Sequence, residues 1–108
     1  MSNKIQSQTN QLLTKEEIIR RLDKNIEKIK QFKVKKLGLF GSFAKDEQKR
    51  GSDLDFLVTF EEITFDNYMN LKKFLEKLFR KKVDLVIEKN LHPRLKYVIK
   101  EAIYVKRL

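Results

Sequence analysis

The stretch Leu37–Val58, LGLFGSFAKDEQKRGSDLDFLV, decides how this chain is read. It opens apolar, turns at Gly41-Ser42, becomes charged, and returns to an apolar run whose start is interrupted by Asp53 and Asp55. Successive side chains on a strand point to opposite faces, so Asp53 and Asp55 share one face while Leu54 and Phe56 point the other way, into a core. Two carboxylates this close repel each other, and burial without compensation raises at least one pKa. A divalent cation between them removes the conflict. Oxygen-only ligation suits Mg²⁺, with water and substrate phosphates filling the remaining positions.

Asp84 interrupts a second apolar run, KVDLVIE, in the same manner. If the two strands are neighbours, Asp84 completes a cluster of three carboxylates. That inventory fits phosphoryl or nucleotidyl transfer with two metal ions, one on the nucleotide phosphates and one activating the incoming hydroxyl. Asp84 is then the candidate general base or second-metal ligand. Gly41 and Ser42 offer the complementary half: a glycine at a strand end lets the backbone turn tightly and approach a ligand. With a helix starting just after it, free backbone N–H groups and the Ser42 hydroxyl can hold a triphosphate. Lys45 adds positive charge nearby.

Working outward, Thr14 with Glu17 three residues later reads as a capping box. Ile18, Ile19, Leu22, Ile26 and Ile29 then follow helical spacing. VKKLGLF is a strand running up to Gly41, DLDFLVTF a second strand, and KVDLVIE a third. Phe65 to Lys81 is a helix with Tyr68, Leu71, Phe74, Leu75 and Leu78 on one face. Pro93 suits the first turn of a last helix, whose stripe is Leu95, Val98, Ile99, Ala102 and Ile103. The order helix, strand, strand, helix, strand, helix predicts an α/β (α+β) fold, a small mixed β-sheet flanked by helices. Residues 1–13 read as a flexible N-terminal tail and 14–108 as one domain.

The 108 residues are 41% hydrophobic and 37% charged, enough for one modest core. With no cysteine, disulfides and thiolate metal sites are excluded, which fits a cytoplasmic protein. No apolar run approaches the roughly 20 residues of a membrane span, and the polar start MSNKIQSQTNQ lacks the apolar core of a signal peptide. The net charge is +10, and Arg20–Lys36 holds eight basic residues against two acidic ones. Such a segment attracts polyanions or an acidic protein, or is a solvated helix face. It lacks the aromatic interleaving of a single-strand binder, and nucleic acid is not expected as the direct substrate.

Gly41-Ser42, ten intervening residues, then Asp53-Leu54-Asp55 resemble the signature of minimal nucleotidyltransferases, which have the DNA polymerase β-type fold. The GSFA turn, the serine before the first aspartate and the following FLV agree with it. The region VDLVIEKNLHPRLKYVIKEAIYV is similar to small antitoxins encoded beside HEPN-domain toxins. The resemblance covers nearly the whole chain after its first dozen residues. It implies an antitoxin of a type VII-like pair that uses ATP and Mg²⁺ to transfer AMP onto a tyrosine of its partner, a HEPN ribonuclease, and so silences it. By motif position, Gly41 and Ser42 would hold nucleotide phosphates, Asp53 and Asp55 would bind metal, and Asp84 would complete the triad. Where this family often has Arg-Gly, the chain has Lys45-Asp46: lysine keeps the charge without the bidentate fork, and Asp46 brings a negative charge toward the phosphates. Two other readings compete: neutralisation of the toxin by binding alone, and transfer to a small molecule or RNA. Larger transferases of this fold carry a separate substrate-binding domain for which this chain has no room, so its acceptor surface is expected from a partner. His92 is expected to cap the last helix, and Tyr104 to pack within it with its hydroxyl near solvent.

Overall fold

The computed structural model describes residues 13–108. Of the expected N-terminal tail only Leu13 falls among them: it packs against the core, and its carbonyl accepts a hydrogen bond from Gln48 Nε2 (2.9 Å). Thr14 caps helix α1 (Lys15–Lys24), its side chain accepting from the Glu17 N–H. The box is only half formed, because the Glu17 carboxylate turns to Arg20 and Arg21. The helical stripe breaks at Asn25 and resumes in α2 (Ile26–Lys30), yet Ile18, Leu22, Ile26 and Ile29 stay buried along one line.

The described residues form a four-stranded sheet in the order β3-β2-β1-β4. Strand β1 (Val34–Phe40) pairs antiparallel with β2 (Leu54–Phe60). Helix α3 (Phe65–Phe79) then carries the chain across to β3 (Val83–Ile87), which runs parallel to β2, as a parallel pair requires a crossover. Thr64 caps α3, and Arg80, in the left-handed conformation (φ 54°), ends it just short of the expected Lys81. The core lies between one face of the sheet (Leu37, Leu39, Leu54, Phe56, Val58, Val83, Leu85) and the apolar faces of α1–α3.

The C-terminal segment departs from the single helix its spacing suggests. Two 3₁₀ turns (Glu88–Asn90 and Pro93–Leu95) lead to a short helix α4 (Tyr97–Glu101), and the chain then joins the sheet as β4 (Ile103–Tyr104), antiparallel to β1. Leu95 and Tyr97 are exposed, whereas Val105 is buried and its N–H bonds the Leu37 carbonyl (2.9 Å). Of the expected stripe only Leu95 is exposed, while Val98, Ile99, Ala102 and Ile103 are half-buried, and Ile103-Tyr104 take up edge pairing, which suits β-branched and aromatic residues. Gly38 permits it: a Cβ there would come within 2.8 Å of the Tyr104 ring. Tyr104 therefore sits on an edge strand rather than in a helix, and its hydroxyl donates to Glu88 (3.2 Å). Burial and the Glu88 carboxylate push that hydroxyl up to about 12. His92 caps the second 3₁₀ turn, its Nδ1 accepting from the Arg94 N–H (3.1 Å).

Candidate active site

The sheet places its acidic residues at one end, where β1 finishes and β2 and β3 begin. Asp55 and Asp84 are register partners on adjacent parallel strands, so their side chains leave the same face side by side. Asp53 lies one residue before β2 rather than inside it, exposed at the mouth of the same end. Burial, and after it the charges of Asp84 and Asp53, push the Asp55 carboxyl up to about 6. None of the ion pairs among the described residues involves any of these three aspartates.

The supports of this edge come from distant parts of the chain. The Glu76 carboxylate on α3 accepts from the Val83 N–H (3.1 Å) and pairs with Lys72, which anchors β3 immediately before Asp84. Lys81 Nζ donates to the Arg50 and Ser52 carbonyls (3.3 and 3.4 Å) and lies over the Phe43 ring, tying the segment that leads to Asp53 to the turn after β1.

That turn begins at Gly41, with φ +78°. A Cβ on Gly41 would overlap the Asp55 carboxylate, standing 3.0 Å from its Cγ and nearer still to one oxygen. Gly41 is thus required twice, for its left-handed backbone and for the space the carboxylate fills. Instead of the expected helix, residues 42–46 form a single turn: the Ala44 and Lys45 N–H groups bond the Gly41 carbonyl, and Glu47 N–H bonds that of Ser42 (2.9 Å). Phe43, 1% exposed, plugs the turn into the core. The Ser42 and Phe43 amides donate no backbone hydrogen bond among the described residues; of the two, only Ser42 belongs to a residue with appreciable exposure, so its amide is the one that can meet an anion.

Lys45 is exposed and within 3.9 Å of Glu101 on α4. Asp46 takes the left-handed conformation (φ 60°) and pairs with Lys15 at 2.9 Å. The structure accounts for both features of Asp46: aspartate tolerates the conformation that glycine adopts freely, and its charge is met by Lys15, whose own pKa is raised by that bond. A cleft of about 460 Å³ opens beside the turn, lined by Gly41, Lys45 and Asp84 and walled by the segment from Asn90 to Glu101. Lys15, Glu101 and that wall lie outside the motif, and no local spacing pointed to them.

The donor set fits a hard divalent cation in kind: carboxylate oxygens only, mutually repelling and without a basic partner. Among the described residues, no three such side chains are gathered closely enough to hold one ion as they stand.

The nucleotidyltransferase domain family matches residues 13–105. The chain belongs to that family. A protein adenylyltransferase of Thermococcus cleftensis, MntA, is 38% identical over 97 residues, covering 87% of this chain and 98% of its own. A solved structure assigned as a minimal nucleotidyltransferase superposes with TM-score 0.73 at 36% identity, covering 84% of this chain and 95% of that one. The fold also recurs, at TM-score 0.57 and 20% identity, over 81% of this chain and 71% of a chain in the complex of a tri-AMPylated Shewanella oneidensis HEPN toxin with its MNT antitoxin. The four-stranded mixed sheet with its helices is the minimal nucleotidyltransferase fold, and the chain is a nucleotidyltransferase with a nucleotide as substrate. No helix among the described residues is long and apolar enough to cross a membrane.

Proposed function

We propose that this nucleotidyltransferase is an antitoxin that transfers AMP from ATP to a tyrosine of a partner HEPN ribonuclease in the cytoplasm. The observation that carries the reading is the meeting of Gly41, Asp55 and Asp84 at one end of the sheet, with a carboxylate against the glycine and its neighbour facing the cleft. The names of the relatives supply the acceptor class. Gly41 and Ser42 hold the phosphates, with the free Ser42 amide as a donor, and exposed Lys45 adds positive charge. Asp53 and Asp55 would hold Mg²⁺, with Asp84 completing a second site. The metal would supply charge neutralisation at the phosphates and activation of the attacking hydroxyl. Attack of the tyrosine oxygen on the α-phosphorus forms the new P–O bond and expels pyrophosphate. In its alternative role Asp84 is the general base that takes the hydroxyl proton.

The test is intact-mass measurement of a co-expressed HEPN partner. Mass additions in steps of one AMP, lost with Asp53→Asn, are the expected result. An unmodified partner that is nonetheless silenced would sink the transfer reading. The second reading, neutralisation by docking alone, is favoured by the carboxylates not being gathered around one point. It wins if the chain with Asp53, Asp55 and Asp84 all changed to Asn still neutralises fully.

A further inference from the structure

The cleft continues past the phosphate turn into a part that the transfer chemistry does not use. Asp84 and Val86 alternate onto the same face of β3, so the floor changes from acidic to aliphatic along its length. Leu91 and Val98 extend that apolar character into the opposite wall. Tyr97, 54% exposed on α4, lines the same space. A large aromatic ring left in solvent beside an active cleft, with aliphatic neighbours, has no packing role in the core. Asn90, exposed at the end of the turn after β3, is the one amide side chain lining the cleft among the described residues.

The cleft therefore has Asp84, Lys45 and the Lys45-paired Glu101 toward the turn after β1 and, beyond them, the Tyr97 ring, the His92 imidazole, aliphatic walls and a single amide. That sequence of chemistries matches a nucleoside triphosphate, whose anionic tail and flat base make opposite demands. Its volume of about 460 Å³ is in the range of small-ligand sites. We propose that Tyr97 is the platform on which the nucleobase stacks and that Asn90 reads the base edge, with the phosphates at Gly41-Ser42. A carboxamide offers one acceptor and two donors, the complement of adenine's amino group and N7. Guanine shows two acceptors on that edge and calls for Arg or Lys. Lys45, the only Lys or Arg lining the cleft among the described residues, belongs to its phosphate end.

The proposal rests on reading this site as nucleotide-binding, but not on the identity of the acceptor. Calorimetric titration of the full chain with non-hydrolysable ATP and GTP analogues in Mg²⁺ tests it directly. Tyr97→Ala is expected to weaken the ATP analogue about tenfold or more, while Tyr97→Phe, which keeps the ring, stays within about twofold of wild type. Asn90→Ala is expected to shrink the preference for the ATP analogue over the GTP analogue about fivefold or more. Tyr97→Ala binding as wild type does would overturn the platform. So would Tyr97→Phe failing as badly as alanine, since the hydroxyl rather than the ring would then matter. A rise in KM for the protein acceptor with unchanged nucleotide affinity would likewise overturn it and assign Tyr97 to partner docking. Tyr97-dependent nucleotide binding without AMP transfer leaves the platform standing and defeats the adenylyltransferase reading; transfer that persists without Tyr97 dependence does the reverse.

Discussion

The aspartate edge and the Gly41–Asp46 turn meet where the Asp55 carboxylate lies against Gly41, but they are built differently. Asp55 and Asp84 are held by hydrogen-bonded strands in parallel register, with β3 pinned from behind by Glu76. They remain unpaired by any described cation and mutually repelling. The turn is anchored by buried Phe43, while its charged members reach outward into exposed pairs, Asp46 with Lys15 and Lys45 with Glu101. Exposed pairs of this kind contribute little to stability. The lesson is that charge placement in the edge is set by backbone register, whereas in the turn it is set by backbone conformation and leaves side-chain identity freer. Lys45-Asp46 in place of Arg-Gly is then a tolerable change, because Asp46 keeps the left-handed conformation and its charge is met locally.

The contrast is sharpest for activity. Asp55→Asn, or Asp53→Asn, is expected to reduce AMP transfer by about 10³-fold or more, since metal-held charge stabilises the transition state by several kcal/mol. Single-turnover transfer of labelled AMP measures this, and a loss below tenfold would break the assignment of the edge as the catalytic half.

The next largest effect is at the point of contact between the halves. Gly41→Ala forces a left-handed alanine against the Asp55 carboxylate and is expected to cost about 2 kcal/mol of stability, read from the denaturation midpoint. Combining it with Asp55→Asn should not rescue the fold, because the asparagine side chain fills the same space and the backbone strain remains.

Asp55 also sets a pH dependence opposite to that of an ordinary paired carboxylate. Its folded pKa is raised to about 6, so the folded state binds its proton more tightly than the unfolded chain does. The associated stability is fully present below the unfolded value, near 4, and is lost as pH rises through about 6. For a half-exposed group, after discounting for solvent screening, about 1 kcal/mol is at stake. Asp55→Asn should therefore be the more stable protein at pH 7, while being inactive. Added Mg²⁺ should raise the thermal midpoint of wild type but not of this variant. A wild type whose stability contribution from this site grows between pH 4 and 6 would contradict the arrangement.

The smallest effect is expected in the turn. Asp46→Gly relieves a left-handed non-glycine residue but loses the Lys15 pair and adds chain entropy, so stability should stay within about 0.5 kcal/mol. Transfer activity should change less than for any aspartate of the edge. A large loss would show that the turn depends on its side chains as much as the edge does.

Much of this architecture is legible from local pattern. The apolar runs of β1 and β2, the stripe of α3, the cap at Thr14 and the sharp turn at Gly41 all follow from neighbouring residues. The C-terminal segment misleads because its apolar residues satisfy a helical period over a few turns while Ile103-Tyr104-Val105 satisfies a strand equally well. Short apolar runs carry no signal that decides between them. The same holds for Asp53, whose i, i+2 relation to Asp55 places it near the edge without revealing that β2 begins one residue later.

By itself, then, the amino-acid sequence determined the element types up to β3, the tight turn at Gly41 and the nearness of Asp53 to Asp55, since each depends on backbone sterics over a few residues. Only the tertiary structure decided that Asp84 lies opposite Asp55, that the Asp55 carboxylate occupies the space left by Gly41, that β4 closes the sheet on β1, and that Tyr97 and Asn90 wall the cleft. These are relations between segments tens of residues apart. They are set by strand register and by which surfaces remain to be covered once the core has formed.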